Sequence, residues 1–506
     1  MAIEIEDKFD VPTDFTVPDL SGISGCAQVE SPVTHELTAI YFDTPDLRLA
    51  ARGVTLRRRR GGDDAGWHLK LPKAKKVRQE ITHRLTRSAK VVPAPLAELV
   101  TAYTRGGELV PVAELKTRRS VIVLKDEAGE SVAEVADDSV KGTVFGEVPY
   151  VELWREVEVE LTGGTEKLLG RVGKTLRKAG AVQAGAANKL RRLIDASPSA
   201  EKLQERPRPW AGEPGTAGAV VIDYVSSQVD ALLAQDPQVR RAGDDAVHQM
   251  RVAARRLRSA LKAFKSVMGE TPEIQEELRW LGLVLGDVRD LEVIRARFAG
   301  RLEGLPPELV VGPVEARLGA DLEAQEKAGY DVIRETLSDE RYFALLDSLD
   351  LLVAKPSLTK KAASPAESTL TAVAARGWRR VERRYEEAQA MEDADEREIA
   401  MHNVRKAAKR ARYTAEALAP VLGGTLAELG KRAEAVQDIL GLHQDGVVAQ
   451  EVLEREAERA REAGEDAFTY GVLIGIEREV AEQAHKGFPR VWEETVSVVR
   501  GLLPVG

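Results

Sequence analysis

Ile3-Glu4-Ile5-Glu6-Asp7-Lys8, at the start of the chain, decides how the first 196 residues are read. Alternate residues of a β-strand share a face, so Glu4, Glu6 and Lys8 point the same way. The charged outside of a half-buried strand would account for that pattern taken alone. The other explanation is a strand lining a polar cavity. There, carboxylates hold a hard divalent cation and the lysine meets an anion bound to the same metal.

The segments that follow favour the cavity. Period-2 patterns predict strands over Ile3–Phe9, Glu36–Asp43, Val54–Arg60, Trp67–Leu71, Arg78–Arg84, Lys116–Lys125, Ser131–Asp138 and Val151–Leu161. Helices are expected near Pro95–Thr104 and Glu166–Ala179. Turn signals stand between strands at Arg52-Gly53, Gly61-Gly62, Ala128-Gly129 and Lys141-Gly142. Short connections between about eight strands suggest an antiparallel barrel. Most of these strands carry one charged face: Arg57 with Arg59, His68 with Lys70, Arg78 with Glu80, Lys116 with Arg118, and Glu156 with Glu158 and Glu160. A solvated sheet face explains one such strand. A charged tunnel explains all of them together, with acidic rows for metal and basic rows for a polyanion. A metal-chelated chain of phosphates needs both.

Composition sets the frame. A chain of 506 residues is too long for one hydrophobic core, so two or three domains are expected. Cys26 is the sole cysteine, which excludes a disulfide framework or a cysteine zinc site and fits a reducing, cytoplasmic setting. The charged N-terminus lacks an apolar leader, and no run of about 20 apolar residues suggests a membrane span. A formal net charge of −9 argues against general nucleic-acid binding. Residues 1–200 carry 30 basic and 29 acidic side chains, and the remainder carries 43 and 53. Basic clusters in the second half therefore sit in acidic surroundings.

Glu4-x-Glu6-x-Lys8 resembles the ExExK signature of the CYTH domains, or triphosphate tunnel metalloenzymes. Tyr41-Phe42-Asp43-Thr44, Arg57-x-Arg59, Leu69-Lys70, Arg78-x-Glu80, the Glu156/Glu158/Glu160 row and Lys189 in Asn188-Lys189-Leu190-Arg191 extend the match over residues 1–196. The resemblance implies an eight-stranded tunnel that hydrolyses or cyclises triphosphates with Mg²⁺ or Mn²⁺. It implies metal ligands among Glu4, Glu6, Glu156, Glu158, Glu160 and Asp138, with Glu134 a candidate addition. It implies phosphate contacts from Lys8, Arg57, Arg59, Lys70, Arg78, Lys116, Arg118 and Lys189. Glu4, Glu6, Lys8, Arg57, Arg59 and Lys70 are the expected catalytic set.

Residues 197–218 are rich in Pro, Gly and small side chains and read as a connector, or as a loop packed by Trp210. From about 219 to 503 the period becomes 3.6. In the stretch beginning at His248, the residues His248, Arg251, Arg255, Arg258, Lys262 and Lys265 fall within one arc of about 100°. Met250, Leu257, Leu261, Phe264 and Met268 gather about 130° away, and no acid occurs from 248 to 265. The pattern returns 154 residues later as His402, Arg405, Lys409 and Arg412. Gly286-Asp287-Val288-Arg289-Asp290 likewise aligns with Gly441-Leu442-His443-Gln444-Asp445. The second domain is thus expected to be a duplicated all-α bundle, its basic helices facing a shared groove. One basic stripe is ordinarily a solvated face; two at matched positions in an acidic domain point to a polyanion.

These helices resemble the CHAD family, the conserved-histidine α-helical domain. The resemblance implies binding of inorganic polyphosphate by His248, Arg251, Arg255, Arg256, Arg258, Lys262, His402, Arg405, Lys406, Lys409, Arg410 and Arg412. His443 departs from it, standing where an Asn is often seen. The expected protein is α+β and multidomain, an inorganic triphosphatase coupled to a polyphosphate-binding domain, with room for a homodimer. The alternatives are a class IV-type adenylate cyclase, a thiamine triphosphatase, or a non-catalytic polyphosphate-binding protein. Nucleic acid is disfavoured because Tyr413 is the one aromatic close to the cations.

Overall fold

The computed structural model describes residues 2–502 except 75, 76, 187 and 205–208; for residues 2–4, 74, 203 and 204 it describes the backbone alone. The chain forms two compact units, residues 1–207 and 208–506.

The first unit is built on eight strands. They are β1 (Ala2–Asp10), β2 (Val33–Asp43), β3 (Thr55–Arg60), β4 (Gly66–Ala74), β5 (Val77–His83), β6 (Val110–Lys125), β7 (Ser131–Val144) and β8 (Tyr150–Leu161). Every neighbouring pair is antiparallel, in the order β1-β5-β4-β3-β2-β6-β7-β8. The last strand returns to the first through pairs running from Glu6↔Glu160 to Asp10↔Glu156. The sheet is therefore a closed barrel, as the strand count and turn spacing predict.

The barrel is polar along most of its lumen and apolar outside, with an apolar cluster on the inner face at one end. On β8, Val157 and Val159 are fully buried against the outer layer, while Glu156, Glu158 and Glu160 alternate with them on the lumen side. Helix α1 (Glu166–Lys178) lays Leu168, Leu169, Val172 and Leu176 against Phe9, Val135, Val157 and Val159. Helix α2 (Lys189–Asp195) starts at Asn188, whose side chain accepts from the Arg191 amide at 2.8 Å. It packs Leu190, Leu193 and Ile194 with Leu115, Val140 and Trp154. Each such burial stabilises by roughly 1.5–3 kcal/mol. Helix α1 lies outside the wall, whereas Leu115, Val140 and Trp154 share the face of Arg119, Asp138 and Glu156. Helix α2 therefore packs against the inner face at one end of the barrel, and the rest of the lumen is left for charge.

One expected turn is not a turn. Lys141-Gly142 lies within β7, which runs on to Val144. A Cβ at Gly142 would come 2.8 Å from Leu193 and 2.9 Å from the Trp154 ring. The glycine is there for the close approach of α2 to the strand, a use that looks identical to a turn signal in sequence.

The second unit is helical. Its longer helices are α3 (Ala217–Arg240), α4 (Ala246–Ala263), α5 (Pro272–Glu303), α6 (Val314–Thr336), α7 (Glu340–Ala354), α8 (Ala366–Gln389), α9 (Ala394–Leu422), α10 (Gly424–Glu462) and α11 (Phe468–Leu502). Helix α4 packs between α3 and α5, α9 packs between α8 and α10, and α4 and α9 touch each other. This is the arrangement a duplication should give. Met250, Leu257, Leu261, Phe264 and Met268 are all fully buried, as their shared face predicts. Asp393 starts α9 by accepting from the amides of Asp395 and Glu396. Among the described residues, α3 is the one helix long and apolar enough to cross a membrane, and half of that apolar window is buried within the structure. Ahead of α3, the Trp210 amide donates to the Val353 carbonyl at 2.9 Å.

Candidate functional site

The barrel encloses a cavity of about 540 Å³ lined by side chains from every strand. Strand register organises its charges. Glu6 pairs with Glu160, and Glu160 pairs with Glu134, so three carboxylates form a row across β1, β8 and β7. Lys8 stands opposite Glu158, and Asp138 opposite Glu156. The basic side comes from the next three strands around the ring: Arg78 on β5, Lys70 on β4, Arg57 and Arg59 on β3. In a closed ring of eight, strands four places apart face each other. Hence β3 with its arginines looks across the lumen at β8 with its glutamates.

Most of these cations have protein counter-ions. Lys8 Nζ is 3.1 Å from Glu6 and bonds Glu158; Arg78 lies 3.3 Å from Glu6; Lys70 lies 3.6 Å from Glu80. Glu80 also bonds His68 Nδ1 at 2.9 Å, and burial lowers that histidine's pKa. Lys189 was expected at a phosphate. Its Nζ instead sits amid three buried carboxylates, 2.9 Å from Asp138, 2.8 Å from Glu156 and 2.7 Å from Glu158. Arg119 bonds Asp138 at 2.8 and 2.7 Å and Glu158 at 2.6 Å. Burial alone would raise the Glu158 carboxyl, yet Lys189, Lys8 and Arg119 hold it well below the usual range. Asp138 follows the same logic: burial raises it, and Lys189 with Arg119 more than reverses that.

Arg57 and Arg59 differ from the rest. Among the described residues, the buried Nε of each lacks a hydrogen-bond partner. Arg57 bonds only the Tyr41 hydroxyl among the described residues, at 3.4 Å, and Arg59 bonds the exposed Asp64. Burial, then Arg57 and Arg119, push the Arg59 guanidinium down to about 9. An unpaired buried donor costs roughly 1–3 kcal/mol, and these two sit side by side on the lumen wall.

Two expected phosphate contacts lie elsewhere. Lys116 and Arg118 point outward, their side chains 61% and 72% exposed. The lumen face of β6 instead carries Arg119, Val121 and Val123. Two adjacent arginines leave the parity of Lys116-Thr117-Arg118-Arg119 undecided, and a one-residue choice flips the whole face. The Glu4 side chain lies outside the described residues; its backbone pairs with Arg78.

A metal fits the donor set. Asp138, Glu156 and Glu158 bring their oxygens within 4.8 Å of one another, but the Lys189 ammonium occupies that trio. The Glu6–Glu160–Glu134 row opens on the cavity and offers only carboxylate oxygens, the donors hard divalent cations prefer.

In the helical unit, the two basic helices meet as matched halves. Arg251 of α4 lies over Gly286 of α5 and bonds Asp290 at 2.8 Å. Arg405 of α9 lies over Gly441 of α10 with Asp445 at 3.9 Å. A Cβ at either glycine would come within 3.2 or 3.1 Å of the guanidinium. Where the halves touch, cations crowd. Burial, then Arg255, Arg405 and Arg251, bring the Lys409 ammonium down to about 7. Burial lowers Arg255 too, against a pull from Tyr413. His248 and His402 flank this crossing; burial and then nearby cations lower both. Lys406 is exposed beside them. Arg256 and Arg412 are instead tied to acids: Glu416 takes Arg256 at 3.2 Å and Arg412 at 2.6 Å, and Glu434 takes Arg412 at 2.7 Å. Arg258, Lys262 and Arg410 continue the stripe. Burial comes first in lowering Lys262 and Arg410, followed by arginines that include Arg380.

Arg119, Arg376 and Arg380 were not expected from sequence. Arg119 was hidden by parity. Arg376 and Arg380 stand on α8 among Glu382, Glu386 and Glu387, which makes the segment look like an ordinary mixed-charge surface.

Comparison with known proteins agrees with this two-part layout. Residues 2–194 match the CYTH domain and residues 223–454 the CHAD domain. The chain is 38% identical over 502 residues to two Mycobacterium tuberculosis proteins, Rv2226 and MT2285, both described as uncharacterized. The match spans 96% of this chain and 94% of each of them. Among solved structures, PptA from Streptomyces chartreusis aligns at TM-score 0.45 and 22% identity, over 55% of this chain and 99% of PptA. The CHAD domain from the plant Ricinus communis aligns at TM-score 0.42 and 23% identity, over 59% and 95%. The chain belongs to the proteins that join an N-terminal CYTH domain to a CHAD domain.

Proposed function

We propose that the barrel is a metal-dependent triphosphatase, splitting inorganic triphosphate into pyrophosphate and phosphate, and that the helical unit binds inorganic polyphosphate in the cytoplasm. The observation that carries the first half is the pair Arg57 and Arg59, each with a buried Nε that lacks a partner among the described residues, facing a carboxylate row across a closed lumen. A triphosphate carries about four negative charges, which repel an attacking water and resist separation of the products. Arg57, Arg59, Lys70 and Arg78 spread that charge over fixed donors that need no reorganisation at the moment of reaction. Tyr41 orients Arg57, and the Glu80–His68 bond holds the neighbouring acid in place. Glu6, Glu134 and Glu160, with Glu4, are the residues that would hold Mg²⁺ or Mn²⁺; bound there, the ion supplies Lewis-acid charge to the phosphate oxygens. Lys189 holds the three buried carboxylates beside that row in place, and with Arg119 it keeps Glu158 and Asp138 ionised.

Phosphate release from inorganic triphosphate, ATP and thiamine triphosphate, each with Mg²⁺ and with Mn²⁺, tests this. The expected result is fastest release from inorganic triphosphate, since the lumen's cations suit phosphate oxygens. Absence of release from all three overturns the assignment; cyclic AMP from ATP moves it to the cyclase alternative.

A further inference from the structure

Position 154 residues after Lys262 is Glu416, so the duplication reverses a charge at one matched place. The consequence is an asymmetric groove. On the second arm, Glu416 binds Arg412 and Arg256, and Glu434 binds Arg412 again. That arm is neutralised from within. On the first arm, Lys262 borders a cavity of about 190 Å³ lined also by Ser259, Arg376, Arg380, Arg410 and Thr414. Arg376 and Arg380 enter it from α8, one helical turn apart. Among the described residues, none of Lys262, Arg376, Arg380 and Arg410 has a carboxylate partner; Arg410 Nε donates only to the Lys406 carbonyl at 3.2 Å. A fifth cation on the cavity, Lys265, is paired with Glu270 at 2.9 Å; the other four repel each other unless an anion joins them.

The stripe on α4 leads there without a gap. Arg251, Arg255, Arg258 and Lys262 recur every three or four residues, about 16 Å of helix at 1.5 Å per residue. A flexible chain with a charge on every unit can follow that spacing, and guanidinium forks suit its tetrahedral oxygens.

We propose that a linear polyphosphate bound at the α4–α9 crossing leaves it in one direction only, into the cavity of Lys262, Arg376, Arg380 and Arg410, while Glu416 and Glu434 close the matched exit. This deepens the polyphosphate reading above and rests on it. Arg376 and Arg380 become phosphate-binding residues, and Glu416 becomes the residue that sets the direction.

The test uses the full chain and labelled long-chain inorganic polyphosphate, with affinity measured across a range of salt concentrations. Arg376→Gln/Arg380→Gln should weaken binding about tenfold or more at low salt and reduce the slope of log affinity against log salt by roughly two. Both side chains are exposed, so the variant's fold is not at risk. Glu416→Lys should open the second arm, tightening binding and steepening the slope by roughly one. An unchanged slope in the double variant overturns the route even if Arg255→Gln abolishes binding. A weakened Glu416→Lys overturns the role of Glu416. No binding by the wild-type chain overturns the polyphosphate reading itself.

Discussion

The barrel and the helical unit both collect cations, but they manage the repulsion differently. In the barrel, Lys8, Lys70, Arg78, Arg119 and Lys189 each meet a carboxylate within 4 Å. In the helical unit, Lys262, Arg376, Arg380 and Arg410 gather on one cavity with no carboxylate partner among the described residues, and at the α4–α9 crossing burial, then Arg255, Arg405 and Arg251, brings the Lys409 ammonium down to about 7. A closed lumen in low dielectric cannot hold seven like charges, so acids must be built into its wall. A groove open to water and salt can leave its cations exposed. The comparison teaches that a basic row in a sequence has two meanings, and that only the surroundings of the row separate them.

The sharpest way to break the comparison is Arg57→Ala. If the lumen arginines stabilise developing charge on phosphate, turnover should fall roughly a hundredfold to a thousandfold while polyphosphate binding by the helical unit is unchanged. Phosphate release at saturating triphosphate measures the first, and titration with labelled polyphosphate the second. A near-wild-type rate would falsify the assignment of Arg57.

Lys189→Met probes the built-in counter-ions. Removing the ammonium strands Asp138, Glu156 and Glu158 together, so the barrel should lose about 3–5 kcal/mol of stability, read from the shift in denaturant midpoint. The same network fixes the acid limb. Glu158 and Asp138 have depressed folded values, so their contribution is fully present above the ordinary glutamate value of 4.5. It is lost as pH falls through the lower folded values. Thermal unfolding of the wild type should weaken in that window, and Lys189→Met should flatten the dependence.

Taken per pH unit, the smallest effect belongs to Lys409. Free, its ammonium titrates at about 7; next to phosphate it returns toward the ordinary 10.5. Binding between those values takes up a proton, so polyphosphate affinity should fall as pH rises above 7, by up to about tenfold per unit. Lys409→Arg, which stays charged, should remove the slope. A wild-type affinity independent of pH from 7 to 10 would contradict the burial of Lys409 among cations.

Period-2 alternation marked the barrel strands because a lumen of charge against an outer apolar layer leaves a strict record in sequence: Glu156, Glu158 and Glu160 against Val157 and Val159. The 154-residue repeat marked the duplicated helices for the same reason, since a buried stripe at Met250, Leu257 and Leu261 recurs with the turn of the helix. Parity failed at Arg118-Arg119, where two like residues fit either face, and Gly142 passed for a turn because close packing and chain reversal both select glycine. What the sequence by itself determined, then, is which residues lie on which side of each element, because local geometry repeats with a fixed period. Which cations are neutralised, by Lys189 filling an acidic trio or Glu416 holding two arginines, was decided only by the tertiary structure. Coulomb interactions act across strands and helices that are distant in the chain, and their partners carry no period of their own.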